Sequence, residues 1–244
     1  MLDKTRIVQS AMSCDIKSLK YALQNGDNIN TLDYSYLNLL MYAVIFGAFN
    51  KDEYINQLYK YGIYMNQQNK LGQTALHLAA ARSDLNTVKQ LCGLGVQVNT
   101  LDNEGNNALM YACRSIFSNY PYLIKNLGVE DRDINYLENC VKSWNSDKKY
   151  RLELLEAQLS IIKYLLDFGT DKNQVNNYGF SAMDYAVDNY NIKDTKMVEL
   201  LKEYNVPLVS EHETTLNIFQ TGIGDFFSEK SIIDLRKKKL KAIR

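Results

Sequence analysis

Two histidines and two prolines in 244 residues leave this chain poor both in groups that do chemistry and in residues that break helices. So little proline excludes an extended Pro-rich linker and favours helices, whose interiors proline disrupts. Excess charge is missing too, since 28 Lys and Arg balance 28 Asp and Glu. A globally basic nucleic-acid binder is therefore not expected, although a local basic patch is still allowed. The chain has no run of eighteen apolar residues, so no membrane span is expected. The start, MLDKTRIVQSAMSCDIKS, carries charges within its first six residues and has no apolar run of signal-peptide length. Cys14, Cys92, Cys113 and Cys140 are scattered without a C-x-x-C pair. They read as small buried hydrophobes of a reduced compartment. A cytoplasmic protein is expected, and secretion into a host cell without a classical signal peptide is compatible with the same features.

The 46% of hydrophobic residues are ordered by a repeat. Its clearest copy is Gly72-Gln73-Thr74-Ala75-Leu76-His77-Leu78-Ala79-Ala80, followed by Val88, Leu91, Gly95, Val98 and Asn99. Thirty-three residues after Leu76 stands Leu109, within Asn107–Cys113, and 36 before it stands Leu40, within Asn38–Val44 and closed by Gly62 and Asn66. A degenerate first copy starts near Thr5 and ends on Gly26, Ile29 and Asn30. The last runs over Gly179–Val187 with Val198 and Leu201, then has Asn205 where the others have glycine, and Pro207 reads as its stop. Each copy holds two short amphipathic stretches with Leu or Val at helical spacing. Gly26, Gly62, Gly95 and Gly169 fall where a second helix must end left-handed. Thr5, Thr74 and Ser181 fall where a first helix needs an N-cap. One such unit cannot bury its apolar face alone, so stacking must create the core.

This pattern resembles the ankyrin repeat, G-x-T-P-L-H-x-A-A followed by V-x-x-L-L-x-x-G-A-x-V-N, with Ala75 in the usual place of proline. The resemblance implies an all-α solenoid of about five helix-turn-helix repeats over residues 1–209, with a helical insertion in the fourth and a cap or tail over 210–244. Leu109 to Gly169 is 60 residues against 19 from Leu76 to Gly95, so about 41 are inserted near 116–156. The insertion holds Pro121, Trp144 and the amphipathic run Asp133–Lys142. From Asp147 the sequence reads as one long helix running into the repeat. We expect a helical excursion, either a binding element or a filler packed on a neighbouring repeat.

Chemistry finds little support. His77 occupies the T-x-L-H slot, where the resemblance implies structural hydrogen bonding between turns. His212 lies between Glu211 and Glu213, and adjacent residues do not easily converge on one ion. Gly222-Ile223-Gly224 lacks the third glycine and the strand of a dinucleotide site, and Asp188-Asn189-Tyr190-Asn191 lacks the glycine and Glu of a calcium loop. No catalytic residue, metal, cofactor or small-molecule substrate is expected.

The resemblance implies that a protein partner sits on the turn tips and the concave face of the first helices. Position by position these are Tyr34, Ser35, Leu37, Ile45 and Phe46; Lys70, Leu71, Gln73 and Arg82; Asn103, Glu104, Asn106, Arg114 and Ser115; and Asn177, Tyr178, Phe180, Asp188 and Asn189. Leu37, Ile45, Phe46, Tyr178 and Phe180 are too apolar for a solvated face, so they mark an interface or a surface covered by the same chain. Tail residues 220–227, with Gln220, Ile223, Phe226 and Phe227, resemble the PCNA-type sliding-clamp-binding peptide Q-x-x-[ILM]-x-x-[FY]-[FY]. In 3₁₀ spacing the last three form one plug. The same apolar residues could instead cap the solenoid. The basic end, Arg236–Lys239, is the one place where nucleic acid is considered. The expected role is a non-enzymatic protein-binding adaptor or inhibitor, such as a bacterial immunity protein or host-directed effector. The alternative is a replication- or repair-associated factor docking on a sliding clamp.

Overall fold

The computed structural model describes residues 6–47, 49–114, 148–187 and 196–209. Among the described residues the helices are α1 Arg6–Ser13, α2 Ile16–Gln24, α3 Leu39–Phe46, α4 Lys51–Lys60, α5 Ala75–Ala81, α6 Leu85–Gly93, α7 Ala108–Cys113, α8 Lys148–Asp167, α9 Ala182–Val187 and α10 Lys196–Glu203, with no strand. By contact they pair as α1 with α2, α3 with α4, α5 with α6, α7 with α8 and α9 with α10. The first helices, α1, α3, α5, α7 and α9, touch in succession as an inner row, and α4, α6, α8 and α10 make an outer row. Each pair meets only its neighbours, which is the architecture of an all-α solenoid.

The two rows differ because their surroundings differ. An inner helix lies between two inner neighbours and its own outer partner, so it is apolar nearly all round. In α5, ALHLAAA, and α7, ALMYAC, no residue is more than 2% exposed. Outer helices keep one wet face: α4 buries Tyr54, Ile55 and Leu58 and exposes Asp52, Glu53 and Lys60. Each buried Leu or Ile contributes roughly 1.5–3 kcal/mol that an isolated unit could not gain.

Gly62, Gly95 and Gly169 have φ of 79°, 83° and 96°, closing their outer helices left-handed, and Asn205 does so at 54°. Thr74 forms a capping box with His77, and the Ser181 hydroxyl oxygen accepts the Asp184 amide at 3.2 Å. Asn38 and Asn107 cap as well, accepting from the Met41 and Met110 amides. Helix α8 has 20 residues against 9 in α6, as expected of a helix running into the repeat. At the chain's departure from α7, the buried Gln158 amide donates to the Ala112 and Arg114 carbonyls at 3.3 and 3.1 Å, closing a helix end that would otherwise be left open. Cys14, Cys92 and Cys113 are buried, and burial pushes the Cys14 and Cys92 thiols up to about 11. Thr5, Ser115, Pro121, Asp133–Lys142, Cys140, Trp144, Asp188–Asn191, His212 and the tail motif Gln220, Ile223, Phe226 and Phe227 lie outside the described residues.

Candidate protein-binding face

Between successive pairs the chain projects a tight turn, and one Asx side chain builds each. Asp33 Oδ1 accepts from the amides of Ser35 and Leu37, both at 2.8 Å. Asn69 does the same for Leu71 and Gln73, Asp102 for Glu104 and Asn106, and Asn176 for Tyr178 and Phe180, at 2.8–3.0 Å. Such side-chain acceptance fixes a turn locally. The fourth position is left-handed: Tyr36 in the first turn, then Gly72, Gly105 and Gly179. At Gly72 a Cβ would stand 2.6 Å from the Asn103 amide nitrogen, so the close approach of two turns also requires glycine there. Neighbouring turns are tied by backbone bonds, Lys70 N–H to Ser35 O, Asn103 N–H to Leu71 O and Asn177 N–H to Glu104 O, at 2.8–2.9 Å. The result is one continuous ridge.

This construction sorts the expected contact residues. The residue after the Asx is at the tip, so Tyr34 (77% exposed), Lys70, Asn103 and Asn177 face solvent, and Tyr178 is exposed one position further on. Ser35, Leu71 and Glu104 are half-buried. The residue four after the Asx turns back into the stack. Leu37, Gln73, Asn106 and Phe180 are at most 8% exposed, which corrects their expected place on the surface. Ile45 and Arg114, at the ends of inner helices, are buried as well and are likewise not surface contacts. Phe46 and Arg82 are half-buried and retain a surface. The sequence reading missed Tyr36, and it missed Leu32, Leu101 and Val175, which precede the Asx and are exposed in three turns. It also missed Phe49, 82% exposed in the α3–α4 connection. The Asx spacing was the available signal for all but Phe49.

The inward residues form a buried polar network. Gln73 Nε2 donates to the Tyr111 hydroxyl at 2.8 Å, and that hydroxyl donates to Asp102 Oδ2 at 2.7 Å. Asn106 Nδ2 also reaches Asp102 Oδ2, at 3.1 Å, and Asn176 Nδ2 donates to Asn106 Oδ1 at 2.8 Å. The Arg114 guanidinium lies 5.7 Å from the Tyr111 ring centre and 5.0 Å from that of Tyr185. Satisfied buried networks of this kind hold one register. They leave these groups no surface to offer a partner.

His77 belongs to the same layer. Its Nδ1 accepts from the Thr74 amide at 3.1 Å, so the ring is neutral with its proton on Nε2, which donates to the Asn106 carbonyl at 3.1 Å. This bond spans 29 residues and links adjacent repeats, as the resemblance implied. Burial holds the His77 pKa below its ordinary value. A depressed histidine takes up its proton on unfolding, so acid favours the unfolded chain. Stability should therefore fall as pH drops through about 6.5, with a slope approaching about 1.4 kcal/mol per pH unit for one proton. His77→Gln retains an N3 capping acceptor. It should flatten that slope between about pH 6.5 and 5.5 in urea melts. An unchanged slope would place the proton uptake elsewhere.

Among the described residues no group of three or more His, Cys, Asp or Glu could hold a metal, and no helix is long and apolar enough to cross a membrane. A family model described as ankyrin repeats matches residues 40–136 in three copies. The match takes in less than half of the chain, and that stretch is similar to ankyrin repeats. Ankyrin repeats bind protein partners and are in general non-catalytic, which fits a face built of turn tips with a buried hydrogen-bonded layer beneath. The chain is also 35% identical over 136 residues to the tyrosine-protein kinase Shark of Drosophila melanogaster, taking in 52% of this chain. It spans 14% of that relative's length.

Proposed function

We propose that this chain is a non-enzymatic adaptor or inhibitor that holds one protein partner along the ridge of turn tips and the adjoining ends of the inner helices. One observation carries the reading: Tyr34, Tyr36 and Tyr178 are exposed on turns whose backbones are bonded to one another. Tyrosine is among the residues that dominate binding energy. Holding it on a preformed ridge lowers the ordering cost of association. The ankyrin pattern is read as extending over all five pairs within residues 1–209, because the Asx turn at Asn176 repeats the geometry of those at Asn69 and Asp102. Residues 210–244 are read as a cap or tail.

The contact set is Tyr34, Phe46, Lys70, Arg82, Asn103, Glu104, Asn177 and Tyr178, extended by Tyr36. A cytoplasmic immunity protein or a host-directed effector fits capture without catalysis. Docking on a sliding clamp through Gln220, Ile223, Phe226 and Phe227 is the alternative, supported by the tail motif alone. An adjacent toxin gene would favour the former, and adjacent replication or repair genes the latter.

The ridge is tested with the captured partner in hand. Tyr34→Ala and Tyr178→Ala should each weaken binding by roughly tenfold, about 1.4 kcal/mol. Exposed substitutions should leave the melting temperature unchanged. Full affinity in both variants would remove the ridge as the binding face.

A further inference from the structure

We propose that the outward side of α9 is a docking face for residues 214–219 of the same chain, which supply the inner helix of a sixth unit. Four observations point to that occupant.

Beyond α10 the backbone keeps the repeat path. Asn205 is left-handed where Gly62, Gly95 and Gly169 are, and the Val206 amide donates to Leu201 O as Ile63 does to Leu58 O and Val96 to Leu91 O. Pro207 itself lies on that path. Ser181 Oγ donates to Pro207 O, 26 residues on, at 2.7 Å. Asn38 Nδ2 reaches Tyr64 O over the same 26 residues, at 2.9 Å, and Asn107 Nδ2 reaches Asp171 O across the insertion. These are the bonds by which an inner-helix cap holds the segment leading to the next unit. The Val209 amide is held in addition by Asp184 Oδ2, at 3.3 Å.

The apolar cover on α9 is incomplete. On α7, which lies between α5 and α9, Tyr111 is 1% exposed and Ala112 and Cys113 are fully buried. The matching Tyr185 and Val187 of α9 are half-buried, and Leu208 and Val209 beside them are exposed.

The sequence register supplies the occupant. Caps Thr74 and Asn107 are 33 residues apart, and the same step from the cap Ser181 falls on Thr214. Two residues after the caps stand Leu76, Leu109 and Met183, and two after Thr214 stands Leu216. Ile218 then matches Leu78, Tyr111 and Tyr185. Phe219 departs from Ala79, Ala112 and Ala186, which suits an end unit with no further helix to admit. Val209 falls 33 after Asn176 and has no side-chain acceptor, so the ridge gains no fifth Asx turn and the binding face ends at Asn177 and Tyr178.

The test uses the full chain with Leu216→Asp and, as a control further along the tail, Phe226→Asp. Leu216→Asp should lower the melting temperature by about 5 °C and speed amide exchange in α9. Phe226→Asp should do neither. In the unsubstituted chain the amides of Ile218 and Phe219 should be protected to the degree found in α9. Silence of Leu216→Asp, an equal effect of Phe226→Asp, or free-chain exchange at Ile218 and Phe219 would each overturn the assignment. The exchange measurement decides even if the Leu216 variant fails to fold.

Discussion

Replacing Asp102 by Ala should lower the stability of the solenoid by about 3–5 kcal/mol, because this carboxylate is the acceptor for one turn and for the layer below it. Its Oδ1 accepts the Glu104 and Asn106 amides, and its Oδ2 accepts the Tyr111 hydroxyl and the Asn106 carboxamide. Each buried donor deprived of its acceptor costs about 1–3 kcal/mol. Partial relaxation and residual solvent access keep the sum near the lower values. The consequence is large against a total of about 5–15 kcal/mol for a domain. A fall of roughly 10 °C in melting temperature is expected at this size. Asp102→Asn is the informative companion, since Asn69 and Asn176 build the same turn with a carboxamide. It should cost about 2 kcal/mol, because Oδ1 keeps its two amides and only the two bonds to Oδ2 are altered. Equal losses in the two variants would mean that the turn's local acceptor geometry is not what Asp102 contributes.

The second large effect is expected at Phe180→Asp. The sequence alone placed this side chain on the partner face, where aspartate would be tolerated. In the structure its ring is buried and stacks on Tyr185, with centres 5.5 Å apart and planes 20° from parallel. Loss of a buried aromatic costs about 3–5 kcal/mol, and enclosing a carboxylate in its place adds to that. Because each pair contacts only its neighbours, the damage should be local. Pair α9–α10 should exchange its amides and unfold at lower urea while α5 and α7 stay protected. Tyr178→Asp, two residues earlier at the exposed tip, should change stability by no more than about 0.5 kcal/mol. Should Phe180→Asp prove as mild as Tyr178→Asp, the inward assignment of the fourth position after the Asx would be wrong.

Phe180 marks one place where reading the sequence failed, and the repeated core positions mark where it succeeded. Leu76, Leu109 and Met183 were legible as core because a helix that must bury one face repeats its apolar residues at fixed spacing. The left-handed endings at Gly62, Gly95 and Gly169 were legible because glycine carries the least steric cost there. His77 was read correctly as a link between turns, and α8 as one long helix. Gln73 and Asn106 were misread because a polar residue near a loop tip looks solvent-exposed until its partners are known. Those partners, Tyr111 and Asn176, are 38 and 70 residues away.

Sequence by itself thus determined the repeat pattern, the all-helical stack, the glycine-closed helix ends and the caps at Thr74 and Ser181, since these follow from local spacing and backbone preference. Only the tertiary structure decided which turn residues point outward. That choice depends on hydrogen bonds from Asp33, Asn69, Asp102 and Asn176 and on the approach of neighbouring turns, as at Gly72 and Asn103. A one-residue difference in a turn's register moves a side chain from solvent to core, and spacing along the chain does not distinguish the two.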